Sequence, residues 1–292
     1  MSFQKISKTR LKTREPLKGH TTFKIGGEAR YWYEPKNRAQ LADFLKKPVS
    51  SLPVFVIGAG SNLLVREGLI NKIFIHLSAP DFTKIEVRKA NVIAGAGVKI
   101  GRLISVLSSR NIGGYEFLAG IPGTVGGALA MNAGAYGDTK DIVSEIEVLD
   151  RSGRSLRLKR CDINFSYRNS SLRPYIIVSA VLKLRTEDKA SVQERIKNIL
   201  IKRLRVQDWQ HPSAGSFFKN PDPAHPAGIL IDQCLLKGLR VGGAQVSEKH
   251  ANFIINVKDA KSADVIKLME IIKERVYNQF KIKLESEVEV VS

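Results

Sequence analysis

The sequence predicts an α+β fold organised as more than one domain, and three observations carry that expectation. Strand-type apolar runs and helical stripes are intermixed along the chain without strict βαβ alternation. A chain of 292 residues exceeds what one small core organises. Composition also shifts near residue 188, from a glycine-rich mixed stretch to a charged helical one.

Residues 1–19 read as an arm or edge segment, followed by β-type runs at Thr21–Ile25, Val54–Ile57 and Ile73–Leu77. Between the first two, Ala39, Leu41, Ala42, Phe44 and Leu45 follow a helical spacing that Pro48 breaks. Lys84–Arg88 and Val92–Ala94 read as strands paired across a short link. Ile100, Leu103, Ile104 and Leu107 mark one face of a helix that Asn111, Gly113 and Gly114 end. Ile142–Leu149 and Ser155–Leu158 form a hairpin around Asp150–Gly153, and a buried strand covers Tyr175–Leu184. A charged helix is expected over Glu187–Arg205, with Ser191 and Glu194 at capping-box spacing. A helix near Ala227–Leu236, a strand at Phe253–Val257, a helix from Ser262 and a strand at Lys283–Val291 complete the chain. The helix from Ser262 carries Val265, Ile266, Met269, Ile272 and Val276 on one stripe. The expected division is therefore an arm (1–19), a region over 20–188 split near 80, and a C-terminal domain over 189–292.

Composition narrows the function classes. Hydrophobic residues make up 43% and charged residues 26%, a globular balance. No apolar run reaches the roughly 20 residues that cross a bilayer, and the basic start lacks a secretory apolar core. Cys161 and Cys234 form neither a metal-ligand spacing nor a disulfide framework, and both read as small buried residues. A cytoplasmic protein without a metal site is expected. The net charge of +19 is spread along the chain without an aromatic-interleaved basic run, which favours a basic surface attractive to anionic nucleotides over a nucleic-acid module.

Three glycine-rich stretches carry the chemistry. Gly58-Ala59-Gly60-Ser61-Asn62 follows a strand, and such a turn turns main-chain N–H groups toward a phosphate. It lacks the third glycine of a dinucleotide fingerprint, and a tight turn between strands is its plain alternative. The run from Gly114 to Gly137 has glycines at 114, 120, 123, 126, 127, 134 and 137, yet is apolar between them. A flexible linker would be polar. Close approach of backbone to a large flat ligand suits it better, with a helix starting near Thr124. The third stretch, His211–Pro221, places Ser216, Lys219 and Asn220 in a loop bounded by proline and glycine, without a nucleophile elbow around the serine.

Taken in order, Thr21–Gly27, Gly58–Asn62, Phe117–Gly137, Ser166–Ser170, Ser213–Pro221, Lys237–Val246 and Leu284–Val288 resemble the UDP-N-acetylenolpyruvoylglucosamine reductases over almost the entire chain. The resemblance implies a flavin-binding region of the vanillyl-alcohol-oxidase type, made of two α+β subdomains, and a C-terminal α+β substrate domain. It also implies FAD as cofactor, NADPH as reductant, an enolpyruvyl UDP-sugar as substrate, and the shorter subtype that lacks an extra substrate-covering loop.

By the same resemblance Arg168, Ser216 and Glu287 are the catalytic positions. Arg168 would stabilise the substrate carboxylate, Ser216 would supply a proton, and Glu287 would hydrogen-bond around the developing enol. Gly58, Gly60, Ser61, Asn62, Gly120, Ile121, Pro122, Gly123, Thr124, Gly126 and Gly127 are the expected cofactor contacts. Lys219, Asn220, Gln245 and His250 are the expected substrate contacts. The chemistry agrees, because negative charge developing on a carboxylate needs fixed cationic donors, and a strongly basic carbanion needs only a weak, positioned acid. Strand alternation alone sends Glu285, Glu287 and Glu289 to one face and does not choose among them.

The sequence departs from the family pattern in three places. Asp208 stands where a proline is usual, Glu289 stands where an arginine commonly follows the glutamate by two positions, and the chain stops at Ser292. An FAD-dependent oxidase of the same fold, acting on a sugar or alcohol, is the alternative. It would attach flavin through a His or Cys near the two cofactor stretches, Gly58–Asn62 and Gly114–Gly137, which contain neither; His76 is the histidine nearby.

Overall fold

The computed structural model describes residues 11–46, 51–134 and 137–292. Pro48, expected to end the first helix, lies outside the described residues, as do most of the N-terminal arm and residues 135–136. The chain divides into two compact units. The first takes Tyr31–Ala59 and Lys72–Lys202 with the residues up to Thr13; the second takes Arg14–Arg30, Gly60–Asn71 and Arg203–Ser292. This differs from a single cut near 188, because two short early segments group with the C-terminal residues. Long-range pairing is the cause. Glu289–Val291 runs parallel to Leu63–Val65, and Asn256 Nδ2 donates to the Phe23 carbonyl at 3.2 Å.

The first unit is built on a five-stranded antiparallel sheet. Its order is Ser155–Lys159, Val143–Leu149, Ile176–Lys183, Asn91–Gly95, Ile85–Arg88. The expected hairpin turns at Asp150, whose Oδ1 accepts from the N–H groups of Ser152 (2.8 Å) and Arg154 (3.0 Å). Ile176–Lys183 is the buried central strand, as its unbroken apolar run predicts. Val54–Ile57 pairs in parallel with Ile73–His76. Helices α1 (Arg38–Lys46), α2 (Pro80–Thr83), α3 (Ile100–Ser108) and α4 (Val125–Ala130) belong to this unit. Leu41, Phe44, Leu103, Leu107, Val125 and Leu129 sink into its core. α3 stops at Ser108, earlier than Asn111, with Ser109 as its cap.

Helix α5 (Lys189–Val206) starts close to expectation but is capped differently. The Asp188 carboxylate, not a Ser191–Glu194 box, accepts from the Ser191 N–H at 2.9 Å.

In the second unit, Ser213–Ser216, Phe253–Asn256, Ala244–Val246 and Arg240–Val241 form a four-stranded antiparallel sheet. Helices α6 (Ala227–Gln233) and α7 (Ser262–Phe280) belong to the same unit. Val265, Leu268, Ile272 and Val276 of α7 are fully buried, so the predicted stripe is real and Leu268 completes it. α6 ends before Leu236, because Leu235 adopts a left-handed conformation (φ 56°) that closes the helix. Two expected strands are corrected. Thr21–Ile25 is a turn, since Lys24 has φ 58°, yet Phe23 and Ile25 are buried all the same. Of Lys283–Val291 only Glu289–Val291 is a strand; Leu284, Val288 and Val291 are buried at a spacing other than two. Cys161 is exposed rather than buried.

Candidate active site

In the first unit the glycine segments form an anchored frame with an accessible rim. Tyr115 to Ala119, Val125, Ala128 and Leu129 are buried, whereas Gly120, Ile121, Pro122, Gly123, Gly126 and Gly127 keep solvent access. The Val125 and Gly126 N–H groups donate to Val98 and Ala96 carbonyls, and Ile100 N–H donates to Gly123 O at 2.9 Å. Thr124 caps α4, its Oγ1 accepting from Gly127 N–H at 3.3 Å. Gly58 packs directly on that cap, since a Cβ there would meet Thr124 Oγ1 at 2.5 Å. The two predicted cofactor turns are thus brought together at Gly58 and Thr124. A feature not read from the sequence secures the frame. Buried Glu116 accepts from Gly114 N–H at 2.7 Å and from Arg195 Nη2 of α5 at 2.6 Å.

Arg168 lies in the same unit, at the second turn position of a two-residue hairpin pairing Phe165–Ser166 with Asn169–Ser170. Its φ of 53° is left-handed, and its Nη1 donates to Gly134 O at 2.6 Å. Asn132 Nδ2 donates to Ser166 O at 3.1 Å, and Ser170 Oγ to Ala130 O at 2.8 Å. The arginine is therefore clamped to the far end of the glycine segment.

In the second unit, Ser216 and Glu287 are neighbours across the chain. Phe217 and Phe218, 0% and 1% exposed, fix the main chain after half-buried Ser216. Glu287 N–H donates to Phe217 O at 2.9 Å, Phe218 bridges Ser286, and Lys219 N–H donates to Glu285 O at 2.9 Å. Asn62 brackets the glutamate from its other side. Its Nδ2 donates to Glu287 O at 3.0 Å, and its own carbonyl accepts from Glu289 N–H at 3.0 Å. Gly60, with φ 61°, lies so close to His20 that a Cβ would meet the His20 carbonyl oxygen at 2.1 Å. Half-buried Ser61 joins Gly60 to Asn62.

Of the predicted substrate contacts, Lys219 Nζ pairs with exposed Glu285 at 3.2 Å. Asn220 Oδ1 accepts from Ala227 N–H at 3.0 Å at the start of α6. Gln245 is half-buried in the sheet, opposite Ile255 and Arg240. His250 works inside the turn, its Nδ1 accepting from Asn252 N–H at 3.2 Å, and burial holds its pKa below the ordinary histidine value. Asp208 accepts from the N–H groups of Gln210 (3.0 Å) and His211 (3.2 Å) and so ties the loop. Burial acts to raise the Asp208 pKa, but the hydrogen bonds from His211 and Gln210 outweigh it and lower the value.

A curated relative from Moorella thermoacetica, a UDP-N-acetylenolpyruvoylglucosamine reductase, is 43% identical over 288 residues, covering 97% of this chain and 94% of that one. This chain belongs to the UDP-N-acetylenolpyruvoylglucosamine reductase family. A second reductase of that name, numbered 2, from Symbiobacterium thermophilum, is 41% identical over 285 residues, spanning 96% of this chain and 92% of its own. The crystal structure of the Thermus caldophilus reductase superposes with a TM-score of 0.85 at 34% identity, covering 97% of this chain and all of that one. The model of the reductase C-terminal domain matches residues 207–291, and that of an FAD binding domain matches residues 29–159. The chain is thus an oxidoreductase of α+β fold with an FAD-binding domain ahead of the reductase C-terminal domain. Among the described residues no helix is long and apolar enough to cross a membrane, and no cluster of metal-ligating side chains occurs.

The first unit fits FAD on its own observations. Gly120, Ile121, Pro122 and Gly123 stay accessible above a buried, hydrogen-bonded frame. The absence of side chains at Gly58 and Gly126, where a Cβ would meet Thr124 and Ala96, lets the turns pack closely and leave backbone at the surface for a flat dinucleotide.

Proposed function

We propose that this reductase converts UDP-N-acetylglucosamine enolpyruvate to UDP-N-acetylmuramate, for peptidoglycan precursors, in the cytoplasm, with NADPH as the electron source. Bound FAD would supply the hydride that reaches the enolpyruvyl methylene carbon. The chain's own residues do the rest. Negative charge spreads from the neighbouring carbon into the carboxylate, where the Arg168 guanidinium offers a planar pair of donors. Ser216 Oγ gives its proton to that carbon, and Glu287 hydrogen-bonds around the enol as it forms. Gly58, Gly60, Ser61, Asn62, Gly120–Thr124, Gly126 and Gly127 would hold the cofactor. Lys219, Asn220 and Gln245 would hold the substrate, the Lys219–Glu285 pair being too exposed to resist exchange for a diphosphate. His250 is assigned to the turn it braces.

The observation that carries this reading is the hydrogen bond from Glu287 N–H to Phe217 O, which sets the glutamate one residue from Ser216 on the adjoining segment. The test is Ser216→Ala. Flavin reduction by NADPH should remain within about twofold of wild type, and reoxidation by the enolpyruvyl sugar should fall by at least about 10²-fold. Turnover within a few-fold of wild type would remove Ser216 as proton donor.

A further inference from the structure

Strand Ser213–Ser216 does not run straight. Its register against Phe253–Ile255 shifts between Ser213 and Ser216, so three steps on one strand oppose two on the other. Past that bulge the chain leaves its first partner strand and joins the 285–287 segment through Phe217 O, Phe218 and Lys219 N–H. Ser216, opposite Phe253, is the last registered position before the changeover.

Asn252 extends that pairing by one residue through its main chain and by another through its side chain. It is 3% exposed and engages all four of its polar groups. Its carbonyl accepts from Phe217 N–H at 2.7 Å, Oδ1 accepts from Phe218 N–H at 2.9 Å, Nδ2 donates to Phe218 O at 2.8 Å, and its own N–H donates to His250 Nδ1 at 3.2 Å. The side-chain amide thus acts as a surrogate peptide unit, satisfying both main-chain groups of Phe218. With Glu285–Glu287 on the opposite edge, residues 217–219 are held from two sides.

We propose that Asn252 is a positioning residue for the proton transfer, fixing the Ser216 hydroxyl relative to Glu287 through the Phe217–Phe218 main chain. This rests on the proposed role of Ser216, and the effect follows from geometry. A displacement of about 1 Å at a reacting group is enough for a loss on the order of 10²-fold.

The test uses the FAD-loaded enzyme and separates the two half-reactions. In Asn252→Ala, flavin reduction by NADPH should stay within about twofold of wild type. Reoxidation by the enolpyruvyl sugar should slow on the order of 10²-fold, with a larger solvent deuterium isotope effect as proton transfer becomes limiting. Exchange of the Phe217 and Phe218 amide hydrogens should accelerate, independently of activity. Asn256→Ala is the control. Asn256 is also buried; its side chain bonds main chain at Phe23 and Ala260 and its N–H donates to Pro212 O, so these bonds lie outside residues 216–219. It should lose stability and keep the reoxidation rate. If Asn252→Ala does not fold, Asn252→Asp carries the test, since it keeps the acceptor for Phe218 N–H and loses the donor to Phe218 O. Reoxidation within threefold of wild type, or parallel loss of both half-reactions, overturns the proposal. If Ser216→Ala abolishes reoxidation while the Asn252 variants do not, this inference alone fails; if Ser216→Ala reoxidises normally, the serine assignment itself fails.

Discussion

The contact between Gly58 and Thr124 yields a stability prediction that uses no cofactor. Gly58 has no left-handed requirement, so an alanine there meets only a steric objection. Its Cβ would lie 2.5 Å from Thr124 Oγ1, while Thr124 Cγ2 and Cβ are at 3.4 and 3.5 Å, ordinary contact. Relief requires Thr124 to rotate, which surrenders the bond from Gly127 N–H, or requires the two turns to part. Overpacking of this kind costs about 2 kcal/mol, and losing the cap alone, as in Thr124→Ala, costs about 1 kcal/mol. The double variant has no Oγ1 to clash with, so its cost should stay near about 1 kcal/mol, a coupling of about 2 kcal/mol. At about 2–4 °C per kcal/mol for a unit of this size, Gly58→Ala should lower the apoprotein melting temperature by about 4–8 °C. Placed in the Thr124→Ala background, it should lower it hardly at all. Calorimetry of the four apoproteins reads the cycle directly. Additive effects of the two substitutions would refute the packing of the two turns and, with it, the frame on which the cofactor reading stands.

Four other substitutions separate the roles proposed above. Glu116→Ala removes the acceptor of Gly114 N–H and of Arg195 from a buried position and should cost about 1–3 kcal/mol, measured by thermal unfolding. Glu187→Ala, at the more open end of the same arginine, should cost far less. Arg168→Lys should cut steady-state sugar reduction at least about tenfold while sparing flavin reduction, since an ammonium cannot reproduce a planar fork; normal turnover would strike Arg168 from the site. Burial depresses the His250 pKa, and the charge of Lys237 adds to this against that of Asp232. Below about 6.5 the unfolded chain takes up a proton that the folded ring resists, so stability should fall as the pH drops through that value. His250→Gln should flatten that part of the melting-temperature profile, and an unchanged slope would contradict the assignment.

Much of the fold was legible because local chemistry and tertiary outcome agree. The 143–159 hairpin is spelled by Asp150 and Gly153, and the α7 stripe by its apolar spacing. Where they part, most apolar residues of both corrected strands are buried but their segments are not strand throughout, and Cys161, expected inside, is exposed. Phe23 and Ile25 are core residues, but the left-handed Lys24 makes their segment a turn. Leu284 and Val288 point inward at a spacing that no straight strand provides. The Asp188 cap displaced the expected box because an ionised carboxylate one turn earlier is the better acceptor. The grouping of 14–30 and 60–71 with the C-terminal residues had no local signature, since it depends on strands more than 200 residues apart. Neither had Asn252, whose partners lie 34 residues away. The proposed catalytic triplet rests on family resemblance; alternation along the last segment could not have chosen Glu287 over its neighbours.

The central claim is that electrons pass from NADPH through FAD on this chain to an enolpyruvyl UDP-sugar. The direct measurement is anaerobic: reduce the bound flavin with NADPH, then add UDP-N-acetylglucosamine enolpyruvate, UDP-N-acetylglucosamine or UDP-glucose and follow the flavin absorbance. Reoxidation by the first sugar alone, with stoichiometric formation of UDP-N-acetylmuramate, is the predicted result. A protein that takes up no FAD, or a reduced flavin that the enolpyruvyl sugar leaves bleached, would contradict it.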